Sequence, residues 1–176
     1  KGGRSVEAVA EYTIATNAEP KLPIAFKKLA LAELQRSDFK ACTAAMKSAV
    51  NYTPVETRVS MEEDYAEILR MIESLLTDIY NKVLTTKSAF SIGNTTRETA
   101  FKEMTSLRKK SDDLTLALDD LPSPTTAMGK IKALYSQGAA LLTQSADKLL
   151  EGIEVASTSG EEEALLMRRE AMKQIS

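Results

Sequence analysis

Three runs of adjacent carboxylates are the first residues in this chain with the means to do chemistry: Glu62-Glu63-Asp64, Asp112-Asp113 and Asp119-Asp120. General acid–base catalysis needs two carboxyl groups held across a reacting bond. Neighbours in sequence on a helix do not face each other. Asp112-Asp113 falls in a polar stretch and Asp119-Asp120 precedes a proline-rich break, so all three runs read as solvated surface. The basic run Arg108-Lys109-Lys110 is followed at once by Asp112-Asp113 and reads as a solvated helix face rather than a phosphate site.

Histidine is absent, with 0 in 176 residues. That removes a Ser-His-Asp triad, a Cys-His pair and every imidazole metal ligand. A di-iron bundle, which takes a Glu-x-x-His from each of two helices, is excluded for the same reason. The lone Cys42 rules out an internal disulfide and a cysteine zinc site. It lies in the small, apolar stretch Ala41-Cys42-Thr43-Ala44-Ala45-Met46 and reads as a buried hydrophobe. No glycine-rich phosphate loop and no EF-hand loop is present. The expectation is a protein without enzymatic activity, cofactor or metal.

Two Asn-x-Thr triplets are candidate glycosylation acceptors: Asn94-Thr95-Thr96 and Asn51-Tyr52-Thr53. Asn94 falls in a predicted turn between helices. Asn51 is followed two residues on by Thr53 and then by Pro54, which weakens it.

The elements that carry these residues are all helical. Glycine and proline number only 7 and 5, and they punctuate long tracts of good helix formers. The spacing predicts a short helix over 5–18, then long helices over 23–51, 58–91, 96–121 and 126–156, and a short last helix over 161–175. Pro20 and Pro23, Pro54, Gly93, Pro122 and Pro124, and Ser157-Thr158-Ser159-Gly160 mark the breaks. Ser60-Met61-Glu62-Glu63 and Thr95-Thr96-Arg97-Glu98 have capping-box spacing. Lys1-Gly2-Gly3-Arg4-Ser5 reads as a disordered terminus or an expression scar.

Apolar residues recur at heptad-like spacing on each long segment. The predicted seams are Phe39, Cys42, Met46 and Ala49; Ile68, Ile72, Leu75, Ile79 and Val83; Phe101, Met104, Leu107, Leu114, Leu118 and Leu121; and Ile131, Leu134, Gly138, Leu141, Ser145, Leu149 and Ile153. Met46, Met71, Met104 and Met128 fall near these seams as core filling. The whole chain, 1–176, is expected to form one all-α domain: an elongated antiparallel bundle of about four long helices with short terminal helices. Up-down order would place Thr53-Pro54 and Pro122-Ser123-Pro124 at one end, and Gly93-Asn94 with Ser157–Gly160 at the other.

Net charge is −2 with a pI of about 5.4, which argues against a nucleic-acid binder. No apolar run approaches the length of a membrane span. The start at Lys1 reads as a mature or trimmed chain, so a removed leader or anchor signal would not be seen.

Alanine and glutamate tracts such as Ala41-Cys42-Thr43-Ala44-Ala45 and Glu161-Glu162-Glu163-Ala164, set on long helices free of His and Trp, resemble the glutamic acid/alanine-rich surface proteins of insect-stage African trypanosomes. Their bundle is related to the core of the variant surface glycoproteins, which carry several disulfides where this chain has one Cys. The resemblance implies a GPI-anchored cell-surface coat protein. Rods would stand beside neighbouring copies on the extracellular face of the plasma membrane, held by a lipid anchor outside this segment. The alternative from the helical pattern is an intracellular coiled-coil or spectrin-like adaptor or cytoskeletal module. A haem or small-molecule carrier is the third, and it lacks an axial histidine.

Overall fold

The computed structural model describes the backbone of residues 2–175 and the side chains of residues 5–155. Among the described residues the chain is all-helical, with no strand: α1 (Gly2–Ala18), α2 (Pro23–Gln35), α3 (Phe39–Tyr52), a 3-10 segment (Val55–Met61), α4 (Glu62–Ser91), α5 (Arg97–Asp120) and α6 (Thr126–Ile175). Since α1 begins at Gly2, helix takes in residues read from sequence as a loose terminus; the side chains of residues 1–4 lie outside the described residues.

The largest departure from the predicted four long helices is a break inside 23–51. Helix α2 ends in a Schellman motif: Asp38 N–H donates to the Glu33 carbonyl at 3.0 Å and Ser37 N–H to Leu34 at 2.9 Å. Ser37 takes the left-handed φ of 62° that closes the motif. Asp38 then caps α3 by accepting from Ala41 N–H at 3.0 Å. Polar Arg36-Ser37-Asp38 thus turns the chain, and α2 and α3 pack on each other as a hairpin.

Helices α4, α5 and α6 are the long ones, and the hydrogen bonds between them give their directions. Thr86 of α4 donates to Glu103 of α5 at 3.1 Å, Ser111 of α5 donates to the Ala139 carbonyl of α6 at 3.0 Å, and Arg108 reaches Asp147 at 2.9 Å. Successive helices therefore run in opposite senses. At one end Tyr65 and Ser123 lie 3.2 Å apart through their hydroxyls, and Thr125 donates to Glu62 at 2.6 Å while accepting from Met128 N–H at 3.3 Å. Those bonds seat the Pro122-Ser123-Pro124 turn beside the start of α4. Lys132 donates to the carbonyls of Asp119 and Leu121, placing a cation at the C-terminal end of α5.

The predicted starts of α4 and α5 need adjustment. Met61 is the N-cap of α4 and makes no side-chain cap bond, while Ser60 donates instead to Thr57. Thr96, not Thr95, caps α5, accepting from Thr99 N–H. The predicted loop over 157–160 and separate helix over 161–175 are one continuous stretch of α6. Ser, Thr and Gly lower helix propensity there, yet no proline removes a hydrogen bond, and strong helix formers flank the stretch.

The core contains Cys42, Met46, Ala49, Tyr65, Ile68, Ile72, Ile79, Val83, Met104, Leu107, Leu114, Leu118 and Leu121. The seams predicted for α3, α4 and most of α5 are buried accordingly; Phe101 is exposed and its neighbour Ala100 is buried in its place. Met46 and Met104 are buried, and Met71 and Met128 pack against the core. On α6 the predicted seam faces the core at Leu149 and Ile153 but not over 131–145. Leu134 is 67% exposed and Leu141 64% exposed, whereas Ala139, Thr143 and Ala146 are buried. The inward line is Met128, Lys132, Tyr135, Ala139, Leu142, Ala146, Leu149 and Ile153, a perfect 4-3 alternation. Small Ala139 lets α5 approach closely enough for Ser111 to reach its carbonyl.

Candidate functional site

A sizeable concavity lies where the tip of the α2–α3 hairpin meets α4 and α5. It is an open cleft of about 760 Å³, within the range of small-molecule pockets. The break at Arg36-Ser37-Asp38 creates it, because α3 starts there and leaves the α4–α5 groove uncovered beyond. Phe39, Leu75, Ile79, Leu107, Leu114 and Ala117 line the floor, and Lys40, Lys82, Lys110, Asp78, Asp113 and Asp120 contribute charge. None of those six makes an ion pair within 4 Å, whereas Arg36, also at the rim, pairs with Glu33 at 3.2 Å. This arrangement offers an apolar surface between fixed charges of both signs. Of the hydroxyls in its lining, Thr43 donates to the Lys40 carbonyl at 3.0 Å.

The carboxylate runs fall in three different settings. Glu62 and Asp64 are latches: Glu62 holds Thr125, and Asp64 is bonded to Lys27 with Lys28 at 3.7 Å, tying α2 to α4. This corrects their reading as solvated surface; Glu63 between them is exposed. Asp112 lies 3.9 Å from Arg108, and Asp119 accepts from Ser136 at 2.5 Å. Asp113 and Asp120 are the two that reach the cleft. Of the basic run, Arg108 bridges to α6 through Asp147 and only Lys110 borders the cleft.

Cys42 is buried, as expected of a small hydrophobe. Burial pushes its thiol up to about 12, with repulsion from Glu33 and Asp38 adding to the effect. A thiol held this far from ionisation is inert as a nucleophile. Burial likewise raises the Tyr65 phenol, and its hydrogen bond with Ser123 works in the opposite direction. Among the described residues no group of three or more His, Cys, Asp or Glu is arranged to hold a metal ion. Nor is any helix long and apolar enough to cross a membrane.

The structure separates the two glycosylation candidates. Asn94 is exposed in the turn after α4, where Gly93 takes φ 74° and Thr96 caps α5. Asn51 is exposed but belongs to α3, and its Thr53 is buried with the hydroxyl donating to the Ala49 carbonyl at 2.8 Å. Asn51 and Tyr52 are the last residues of the helix, and Thr53 is its extended C-cap.

The cleft is not legible in the expected 23–51 helix, because it depends on the break inside that segment. Ser37-Asp38 before Phe39-Lys40-Ala41 is an N-cap signal, and it was available. Comparison with protein-family profiles, with curated proteins and with solved structures finds no match to this chain.

Proposed function

We propose that this chain is a non-enzymatic surface-coat protein, held on the extracellular face of a plasma membrane by a GPI anchor and acting as a physical shield. The observation that carries the reading is the shape of the bundle. The α2–α3 hairpin packs beside the end of the α4–α5–α6 unit that holds the Pro122 turn, and the opposite end is three helices thick. Helix α6, with 50 residues, spans about 75 Å at 1.5 Å per residue. A head on a narrow stem suits dense side-by-side packing, and a net charge of −2 keeps mutual repulsion low. The turns at Pro54 and Pro122 would face outward, and Gly93-Asn94 would lie nearer the membrane.

Antibodies to peptides 50–57 and 119–126 should label intact cells of the source organism, and antibodies to 91–97 should label them poorly until the coat is disrupted. A phosphatidylinositol-specific phospholipase should release the protein into the medium. Labelling that requires permeabilisation for every peptide would overturn the reading in favour of an intracellular adaptor.

A further inference from the structure

We propose that the outward face of α6 is a self-association surface, on which a second copy of this chain docks through its own α6 in antiparallel orientation. This goes beyond the coat reading and does not depend on it.

The face is defined by a second heptad line, offset by one residue and so about 100° round the helix from the one that packs into the bundle. Ile131, Leu134, Gly138, Leu141, Ser145 and Lys148 follow a 3-4-3-4-3 spacing, and every one of them is exposed. No Asp, Glu, Lys or Arg occurs between Ala133 and Ala146, about four turns of helix in a chain that is 27% charged. Depletion of charge around exposed leucines is the mark of an interface centre. The line's 3.5-residue average period matches another helix of the same period, and α6 itself supplies one.

Charge and bulk together select the antiparallel register. Place Gly138 opposite Leu141 of the second copy. By two-fold symmetry each leucine then enters the gap beside the other copy's glycine, where an added Cβ meets nothing within 4 Å of its own chain. The same register sets Leu134 over Ser145 and Ile131 over the methylene stem of Lys148. On the flank, Lys130 comes level with Glu151 of the second copy at both ends, and Gln137 with Gln144 between them. Neither Lys130 nor Glu151 has an ion-pair partner in its own chain among the described residues. A parallel pair would instead stack Lys148 on its own copy, at a cost in like-charge repulsion. One helix face falls short of the roughly 800 Å² per partner of a stable complex, so the pair is weak, half-formed at roughly 0.1 mM. Its two rods point in opposite senses, which joins copies on facing surfaces or free in solution rather than neighbours on one membrane.

Two measurements on the purified chain test this. Sedimentation equilibrium should show a monomer–dimer equilibrium, and Leu141→Glu should weaken it at least tenfold with an unchanged circular-dichroism melt. For orientation, Ile131→Cys and Lys148→Cys chains should cross-link when mixed but not when oxidised separately, because like positions lie about 26 Å apart in this register; native Cys42 is buried and does not compete. A chain that stays monomeric to about 1 mM (tenfold above the expected midpoint), association indifferent to Leu141→Glu, or cross-linking of Ile131→Cys with itself would each overturn the proposal.

Discussion

Ser37 and Gly93 occupy the same position in the same helix-ending motif, and only one of them is a glycine. Both take a left-handed φ, 62° and 74°, just past the ends of α2 and α4. Behind each, two backbone bonds close the motif: Ser37 to Leu34 and Asp38 to Glu33 in one case, Gly93 to Phe90 and Asn94 to Ala89 in the other.

This equivalence predicts opposite effects of reciprocal changes. Ser37→Gly removes a Cβ from the left-handed region and should stabilise the fold by about 1 kcal/mol. Gly93→Ala should destabilise it by about 1 kcal/mol, although a Cβ at 93 meets nothing within 4 Å. Urea denaturation of the two variants measures both; a stabilised Gly93→Ala would show that the turn relaxes.

The two faces of long helices should respond very differently to charge. Ile72 is 3% exposed, so Ile72→Asp buries an unpaired carboxylate and should cost about 3 kcal/mol or more. Leu141→Asp, on the exposed face of α6, should change the melting midpoint little at low concentration. A melt comparison of the pair reads out which line of α6 faces the core.

The bonds that seat the Pro122 turn should behave as a buried tie. Tyr65→Phe deletes the phenol that pairs with Ser123 and leaves that hydroxyl without its partner, for a loss of about 1 kcal/mol. Ser123→Ala in the Tyr65→Phe background should add little, since the two groups serve each other. Thermal unfolding of the single and double variants closes that cycle.

Cys42 links stability to alkaline pH. Its folded thiol ionises only near 12, against about 8.5 for a free cysteine. The unfolded chain therefore releases this proton first. The contribution is fully present below about pH 8.5 and is lost as pH rises towards 12, with a total on the order of several kcal/mol. Cys42→Ala should flatten that part of the pH profile relative to the parent. Native protein at pH 8 should also resist thiol reagents until denaturant is added.

Much of the fold was legible in the chain itself. The scarcity of glycine and proline and the period of Ile68, Ile72, Ile79 and Val83 establish an all-helical protein and the inward face of α4. Such features are local: a proline or a cap acts on its own turn, and a lone apolar stripe has one face to bury. Helix α6 was different because it carries two apolar lines offset by one residue. In its middle the outer line offers Leu134 and Leu141 where the inner one offers Ala139 and Ala146, so hydrophobicity pointed to the wrong side there.

Only the tertiary structure decides between such lines, because packing rewards fit as well as hydrophobicity. Ala139 and Ala146 are buried because α5 comes close enough to use their small size, with Ser111 bonded to the Ala139 carbonyl. The cleft has the same origin. It comes from where the hairpin stops, and that depends on a three-residue turn and on which helices it lies against. Composition and period determined the helices; the contacts between them determined which faces were left open.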